Sequence, residues 1–600
     1  TSSTPNNTRD ASAKIERYTQ IQVNGTLNYK DTFKDKHNLD VMVGSEYFGY
    51  NEFMMEAKTQ NSPTDDIPTL NAGASRTSTK SEKTGYRIAS VFGRVNYNYQ
   101  MKYLLSLVAR YDGISRLKDN RWGFFPGVSV GWNVTEEDFW KESKISEVIS
   151  NIKPRLSYGV NGNVNGIGNF DIYGIYKQIG AGNYDGATAY YNSSLINTGL
   201  RWEQSRSFEA GLDLGFFNNR LSFIFDYYNR TTDDLLTDVN LPAYTGFSSM
   251  KTNLGKLRNS GFEMEVRANI LSNAKGFNWE VSANLTSVSN KVLKLPTSDK
   301  PFNQIDGYEV AAGLYNPETG ETPTKWIGGY REGGKLGDMV GYVQNHIFRD
   351  WNDVKANANM VIDEVANLYG PGMANEINPQ TGVTYAESNG WKPIEPGDVC
   401  WEDINKDGKI NSLDRAVVGN IFPKVTGGFS TTLSYKNWSL YARFDYALGH
   451  TIYNDLKARS LGQYQGQFNI IDKVHDTWSE TNPDTDLPVF TYADQLNKKN
   501  ITRSNNGNTA VDNNSSRFYE KGDYLALREI TLSYSLPKKW IGKAGMQDAS
   551  VYVTGQNLFY ITGYDGVSPE PAVSTVYGRG IDNGRYPTPR TLLFGLSVTF

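Results

Sequence analysis

Apolar and polar residues alternate one for one over long stretches of this chain. Phe208, Ala210, Leu212, Leu214 and Phe216 are separated by Glu209, Gly211, Asp213 and Gly215. Val91, Val95, Tyr97 and Tyr99 interleave with Arg94, Asn96 and Asn98, and Phe262–Ile270, Phe277–Leu285 and Trp438–Tyr446 follow the same rule. A period of two puts successive side chains on opposite faces of a strand. Each run therefore predicts a strand with one apolar and one polar face, of the length (about 9–11 residues) that crosses a bilayer at a tilt. The final run has Leu592, Phe594, Leu596, Val598 and Phe600 on one face and Leu593, Gly595, Ser597 and Thr599 on the other. A strand that reaches the last residue and ends on an aromatic ring fits the closing strand of an outer-membrane barrel.

The connections between runs are unequal. Tyr99–Tyr103, Phe217–Arg220, Ser272–Gly276 and Tyr435–Trp438 are tight turns, whereas 58–85, 164–203, 294–423, 456–520 and 563–588 are long. Short and long links alternate along most of the chain, as they do between periplasmic turns and outer loops. Tyr99, Tyr103, Trp279, Trp438 and Trp540 near the turns would form an interfacial aromatic girdle. Counting back from the last strand gives about fifteen membrane strands. That count makes 294–423 one large outer excursion, with Met339–Phe348 pairing inside it. The apolar phase slips between Leu527 and Ile530, which predicts a bulge near Arg528-Glu529.

Composition changes this picture little. Hydrophobic residues make up 38% of the 600, and no stretch approaches the roughly 20 apolar residues of a spanning helix. A barrel escapes that test because only alternate residues meet lipid. The 13% aromatic content, with 38 Tyr, favours strands. A net charge of -4 gives no nucleic-acid footprint, and the single cysteine, Cys400, allows no intrachain disulfide. The competing fold is a β-sandwich, whose half-buried sheets also alternate.

Candidate chemistry is sparse. The segment D-I-N-K-D-G-K-I-N-S-L-D, Asp403 to Asp414, has the spacing of an EF-hand-like calcium loop. Asp403, Asn405, Asp407, Asn411 and Asp414 would supply side-chain oxygens, Lys409 its carbonyl, and Gly408 the sharp turn. Asp414 stands where a longer, bidentate Glu is usual. The alternative is an Asp/Gly-rich turn held by its own side chains. His37, His346, His450 and His475 show no paired metal spacing, and Cys400 has no nucleophile context. Glu263 and Glu265 share a strand face, where hydration is the commoner role. The glycines at 328–334 form no phosphate loop. Tyr184, Tyr190, Tyr191, Tyr464 and Phe468 fall in long links, where rings stack on ligands or on one another. No catalytic residue is assigned.

The ending Y-P-T-P-R-T-L-L-F-G-L-S-V-T-F resembles the closing strand of SusC/RagA-like TonB-dependent transporters of Bacteroidetes. In the same order come N-R-W-G-F-F-P-G-V-S-V-G-W-N-V-T-E-E-D-F at 120–139, K-P-R-L-S-Y-G-V-N-G-N at 153–163, L-R-W-E-Q-S-R-S-F-E-A-G-L-D-L-G-F-F-N-N-R-L at 200–221 and D-Y-Y-N-R-T-T-D-D-L-L at 226–236. G-D-Y-L-A-L-R-E-I-T-L-S-Y-S-L-P at 522–537 and V-Y-V-T-G-Q-N-L-F at 551–559 complete the set. The resemblance implies an all-β transmembrane antiparallel β-barrel, with about fifteen strands here of about 22 in the whole. Residues 1–600 would be its C-terminal part, with plug and first strands outside this chain. It also implies a cell outer membrane location and import of an oligosaccharide or peptide. A SusD-like surface lipoprotein, the TonB system and outer-membrane lipid are the expected partners, and Ca2+ in the outer loop is the one cofactor expected. Its rivals are a non-transporting barrel (adhesin or scaffold) and a secreted β-rich glycan-active enzyme.

Overall fold

The computed structural model describes residues 9–184, 187–298, 300–463, 471–490, 498, 500, 503, 514–570, 580–584 and 586–600. Fifteen strands form one antiparallel sheet in chain order. They are β1 Ala11–Phe33, β2 His37–Gln60, β3 Ser75–Tyr99, β4 Tyr103–Ile114 and β5 Trp122–Trp132. Then come β6 Ile149–Asn163, β7 Glu203–Phe216, β8 Leu221–Asn240, β9 Ser249–Ala274 and β10 Phe277–Lys294. The last five are β11 Val425–Tyr435, β12 Trp438–Leu448, β13 Tyr524–Ser535, β14 Asp548–Thr562 and β15 Thr591–Thr599. By internal packing the chain divides into two compact units, Thr1–Gly261 with Val292–Asp299, and Phe262–Lys291 with Lys300–Phe600.

In the first unit the sequence alternation becomes rows that cross the strands. Tyr97, Leu105, Val130, Leu156, Ala210 and Tyr227 stand opposite one another from β3 to β8. One register step away lies the polar row Asn96, Ser106, Ser129, Ser157 and Glu209. A slip of one residue would exchange the rows, so the alternation pins the register. Links at one end fold into their own small core. Ile114, Leu117, Val164, Ile167, Leu200 and Trp202 are buried together there, and the Trp202 indole donates to the Arg121 carbonyl at 3.0 Å.

The link between β2 and β3 is shorter than the sequence suggests. β2 continues past residue 58 and β3 starts before residue 85, and they pair as far as Gln60 with Ser75, so the loop is 61–74. From Ser75 to Lys83 both faces of β3 are exposed, and hydrophobic alternation gives way to ion pairs along and across the strands. Glu56 meets Lys58 and Lys80, each at 3.1 Å. The cue for a strand is lost while the ladder of hydrogen bonds persists.

In the second unit, the part of the 295–424 connection from residue 300 onward builds small sheets of its own. The Met339–Phe348 run splits into Asp338–Tyr342, paired with Arg415–Asn420, and Gln344–Ile347, paired with Val399–Trp401. Neither belongs to the fifteen-stranded sheet. A short helix, Trp351–Asn357, starts where Asp350 accepts the Asn352 and Asp353 amides at 2.8 and 2.9 Å. It buries Val354 against Phe348, Leu368 and Ile394. The expected bulge is present: Arg528 has no partner position on β12 or β14.

Two buried cations fasten this region. Arg503 makes a fork to Asp363 at 2.7 and 2.9 Å, and its guanidinium lies 4.4 Å from the Trp401 ring centre and 4.9 Å from that of Tyr342. Lys498 donates to Glu395 at 2.7 Å and Asp398 at 3.0 Å. Replacing Arg503 by Ala strands a carboxylate that is itself buried. Such breaks cost about 3–5 kcal/mol. Thermal unfolding of Arg503→Ala, with limited proteolysis of 338–420, should show this region loosening first.

Candidate functional site

The sheet itself is the chief functional feature. Among the described residues its apolar rows carry uncovered side chains: Phe594 is 81% exposed, Leu592 66% and Leu596 65%, and Val91, Phe208, Phe262 and Trp438 are exposed too. A packed sandwich would have buried these side chains. The other face carries ion pairs that the strand register assembles. Arg110 reaches Glu46 at 2.9 Å and Asp112 at 2.7 Å, and Arg155 reaches Asp213 at 3.1 Å and Asp226 at 2.6 Å. Arg528, freed by the bulge, reaches Asp445 at 2.8 Å and the Tyr560 hydroxyl at 3.1 Å, and also pairs with Glu570. Sequence reasoning missed these groups. Their one signal was a charged residue in the polar phase of each strand.

Aromatic pairs mark the tight-turn edge. Tyr99 stacks near Tyr103 at 6.4 Å between centres, and Tyr103 near Trp132 at 6.5 Å. Phe277 meets Tyr435 at 4.1 Å and Trp438 meets Tyr534 at 4.7 Å. The turns need left-handed backbone, which Gly276 supplies at φ 87°. Rings with an apolar body and polar tip suit a membrane–water boundary.

The Asp403–Asp414 segment folds as a compact turn. Asp403 accepts the Gly408 amide at 2.8 Å, and Asp407 accepts the Lys409 amide at 2.7 Å. The Asn405 amide group donates to Asp407 and to the Thr322 hydroxyl. Asn411 and Asp414 form a capping box, in which Asp414 accepts the Asn411 and Ile404 amides at 2.8 and 2.9 Å. Gly408 has φ 80°, as the sharp turn requires. The Lys409 side chain is exposed, with Glu364 at 3.7 Å. Among the described residues no set of three His, Cys, Asp or Glu side chains is grouped to hold a metal ion. Burial raises Asp403, and burial followed by the charges of Asp403 and Asp407 pushes Asp414 up to about 6.

The remaining candidates are dispersed. His37 meets the Tyr97 hydroxyl at 2.8 Å, His346 meets Asp353 at 3.1 Å, and His450 meets the Pro569 carbonyl at 3.2 Å. His475 lies in the short helix Asp472–Asp476. Burial pushes the Cys400 thiol up to about 12, which removes its nucleophilic character at neutral pH. Glu265 bonds its strand neighbour Arg267. Tyr190 and Tyr191 are exposed on the hairpin of Tyr176–Tyr184 with Ala187–Asn192. Tyr464, Phe468 and the side chain of Tyr184 lie outside the described residues.

Comparison with known proteins agrees with this geometry. Residues 1–354 match the family described as TonB dependent receptor-like, beta-barrel, and the chain belongs to that family. TonB-dependent receptor P3 of Formosa agariphila is 30% identical over 96% of this chain and 52% of its own length. TonB-dependent receptor SusC of Bacteroides thetaiotaomicron is 29% identical over 86% of this chain and 45% of its own. The solved structure of the RagAB peptide transporter shares the fold, with a TM-score of 0.73 and 22% identity over 98% of this chain and 56% of that one. The chain spans about half the length of the curated relatives it matches. Its fold is that of a TonB-dependent barrel wall, and its place is the outer membrane.

The raised Asp414 sets a pH dependence. Its folded pKa exceeds the ordinary value of about 3.9, so the folded state takes up a proton first as pH falls. Stability of the turn should therefore rise from above pH 6 to about pH 4 and level off below. Asp414→Asn should abolish that rise. Thermal unfolding in detergent at pH 7.5 and pH 5 measures both, and an unchanged slope in the variant assigns the dependence to another group.

Proposed function

We propose that this chain is part of the wall of an outer-membrane importer for oligosaccharides or peptides, working with a SusD-like surface lipoprotein and powered through the TonB system. The observation that carries this reading is the two-faced sheet, apolar and uncovered on one side, charged and hydrogen-bonded on the other. Such a wall separates hydrocarbon from a hydrated interior. Membership of the TonB-dependent receptor family and likeness to SusC support import over adhesion or scaffolding. Relatives named as receptors and transporters likewise favour transport over an enzymatic role.

In this reading the tight turns face the periplasm and the long links, including 294–423, face outward. Among the described residues β1 pairs only with β2, and β15 only with β14. Bare strand edges cannot rest in lipid. Further strands, and the plug and TonB-contacting segment, would come from the remainder of a protein of the relatives' length. The charged inner rows would present fixed hydrogen-bonding groups to whatever fills the interior. Deleting the gene should abolish growth on the one glycan or peptide mixture it serves, and affinity purification from native membranes should bring down a lipoprotein. Growth on every such source, with no lipoprotein recovered, would favour the non-transporting barrel.

The wall makes a sharp mutational forecast. Arg at an outward position near the middle of the bilayer costs about 2–4 kcal/mol, and inward substitutions cost far less. Phe594→Arg should reduce the heat-modifiable folded form on gels, and Ser597→Arg should leave it intact.

We also propose that the Asp403–Asp414 loop takes up Ca2+. The support is electrostatic. Burial first and then the charge of Asp407 raise Asp403, and burial first and then the charges of Asp403 and Asp407 raise Asp414, so a cation among them would offset the repulsion. Binding would require the carboxylates to share lone pairs now committed to backbone amides. Calorimetry with millimolar calcium should give heat that Asp403→Ala removes; a flat titration ends the proposal.

A further inference from the structure

Most neighbouring strands pair along their whole shared length, but β5 and β6 do not. Their ladder is only the five pairs of Gly127–Gly131 with Arg155–Gly159. Pro154 comes next on β6 and has no N–H to donate. At this point β5 stays with β4, since Tyr103 still faces Trp132, and the chain after it is held by the Asn133 amide on the Lys102 carbonyl at 2.7 Å. On the other side β6 stays with β7, where Pro154 faces Leu212. The two strands part between Trp132 and Pro154.

The parting opens a concavity of about 860 Å³ among β3 to β8. It falls in the size range of ligand pockets, about 300–1,000 Å³. Leu105, Val130, Leu156 and Ala210 belong to the one apolar row that crosses it, and Tyr97 and Tyr227 stand at the two ends of that row. Toward the tight turns it is bordered by Tyr103, Trp132 and Phe225. Tyr103 and Trp132 belong to the aromatic edge described above, so the hollow lies just inside the membrane boundary. Ala210 leaves it open, being the smallest side chain in the row.

We propose that this hollow is a lipid site, which holds an acyl chain of a glycerophospholipid from the leaflet at the tight-turn edge. The row faces hydrocarbon, so the occupant must be apolar and must come from the bilayer. A hydrated occupant would find few polar groups: Arg155 lines the hollow, but its guanidinium is engaged by Asp213 and Asp226, and otherwise the row offers only the Tyr97 and Tyr227 hydroxyls at its ends. The interfacial depth matches the upper part of an acyl chain, next to its glycerol. A void between splayed strands would forfeit van der Waals contact along its lining, and a chain laid into it restores that contact. The lipid would thus complete the wall where proline ends the ladder.

The test uses protein extracted from outer membranes and exchanged into a maltoside detergent, with retained phospholipid measured by phosphorus assay and mass spectrometry. Wild type should keep a stoichiometric phospholipid. Ala210→Trp, which fills the hollow, should fall to the detergent blank. Val91→Trp, outward-facing but outside the hollow, should keep the lipid. Leu156→Trp stands in if Ala210→Trp fails to fold, and heat-modifiable migration reports folding in each case. Wild type carrying only detergent, or retention equal in the filled and wild-type proteins, overturns the proposal. Loss in Val91→Trp to the same degree also overturns it, because retention would then reflect general lipid contact.

Discussion

A backbone amide inside a bilayer has no water to bond, and leaving it unpaired costs several kcal/mol. Fifteen strands in one antiparallel ladder answer that constraint, and most features of this protein follow from it. The pairing fixes register, and register fixes which side chains share a row. Because side chains alternate, the row holding Leu105, Val130 and Leu156 can be apolar while the next, with Ser106, Ser129 and Ser157, is polar. One ladder therefore produces both surfaces of the wall.

The same constraint explains where the exceptions fall. A bulge in β13 removes Arg528 from the ladder and points its guanidinium to Asp445 and Tyr560. Proline ends the β5–β6 ladder at a place bordered by Tyr103 and Trp132, near the membrane boundary where water again becomes available. Outside the fifteen-stranded sheet the chain uses other devices. The 295–424 connection relies on a capped helix, small sheets of two to four strands and buried ion pairs to later residues, such as Asp363 with Arg503.

Much of the wall is legible in the sequence because membrane strands advertise themselves. Phe208–Phe216 alternates without a break, and its observed register with β8 puts Ala210, Leu212, Leu214 and Phe216 opposite Tyr227, Phe225, Phe223 and Leu221. The tops of β2 and β3 are not legible in this way, since lysine, glutamate and threonine on both faces leave no period to detect. The Asp403–Asp414 turn is legible as geometry, down to the Gly408 backbone, because Asx and capping interactions are local. Its occupancy by a cation is a question of electrostatics among residues up to eleven positions apart. Arg503 and Asp363 lie 140 residues apart, and no pattern within a strand or turn links them. The hollow beside Pro154 was missed for a related reason. A proline is visible, but which neighbour it fails to bond depends on the assembled sheet.

A membrane wall requires its apolar rows to face lipid. Cysteines placed one at a time at positions 592 to 597 and labelled with a fluorophore can be reconstituted into bilayers and quenched from two sides. Labels at 592, 594 and 596 should be quenched by nitroxide lipids and shielded from iodide, with labels at 593, 595 and 597 reversed. Quenching without alternation, or protection of both sets from lipid, would contradict a membrane wall.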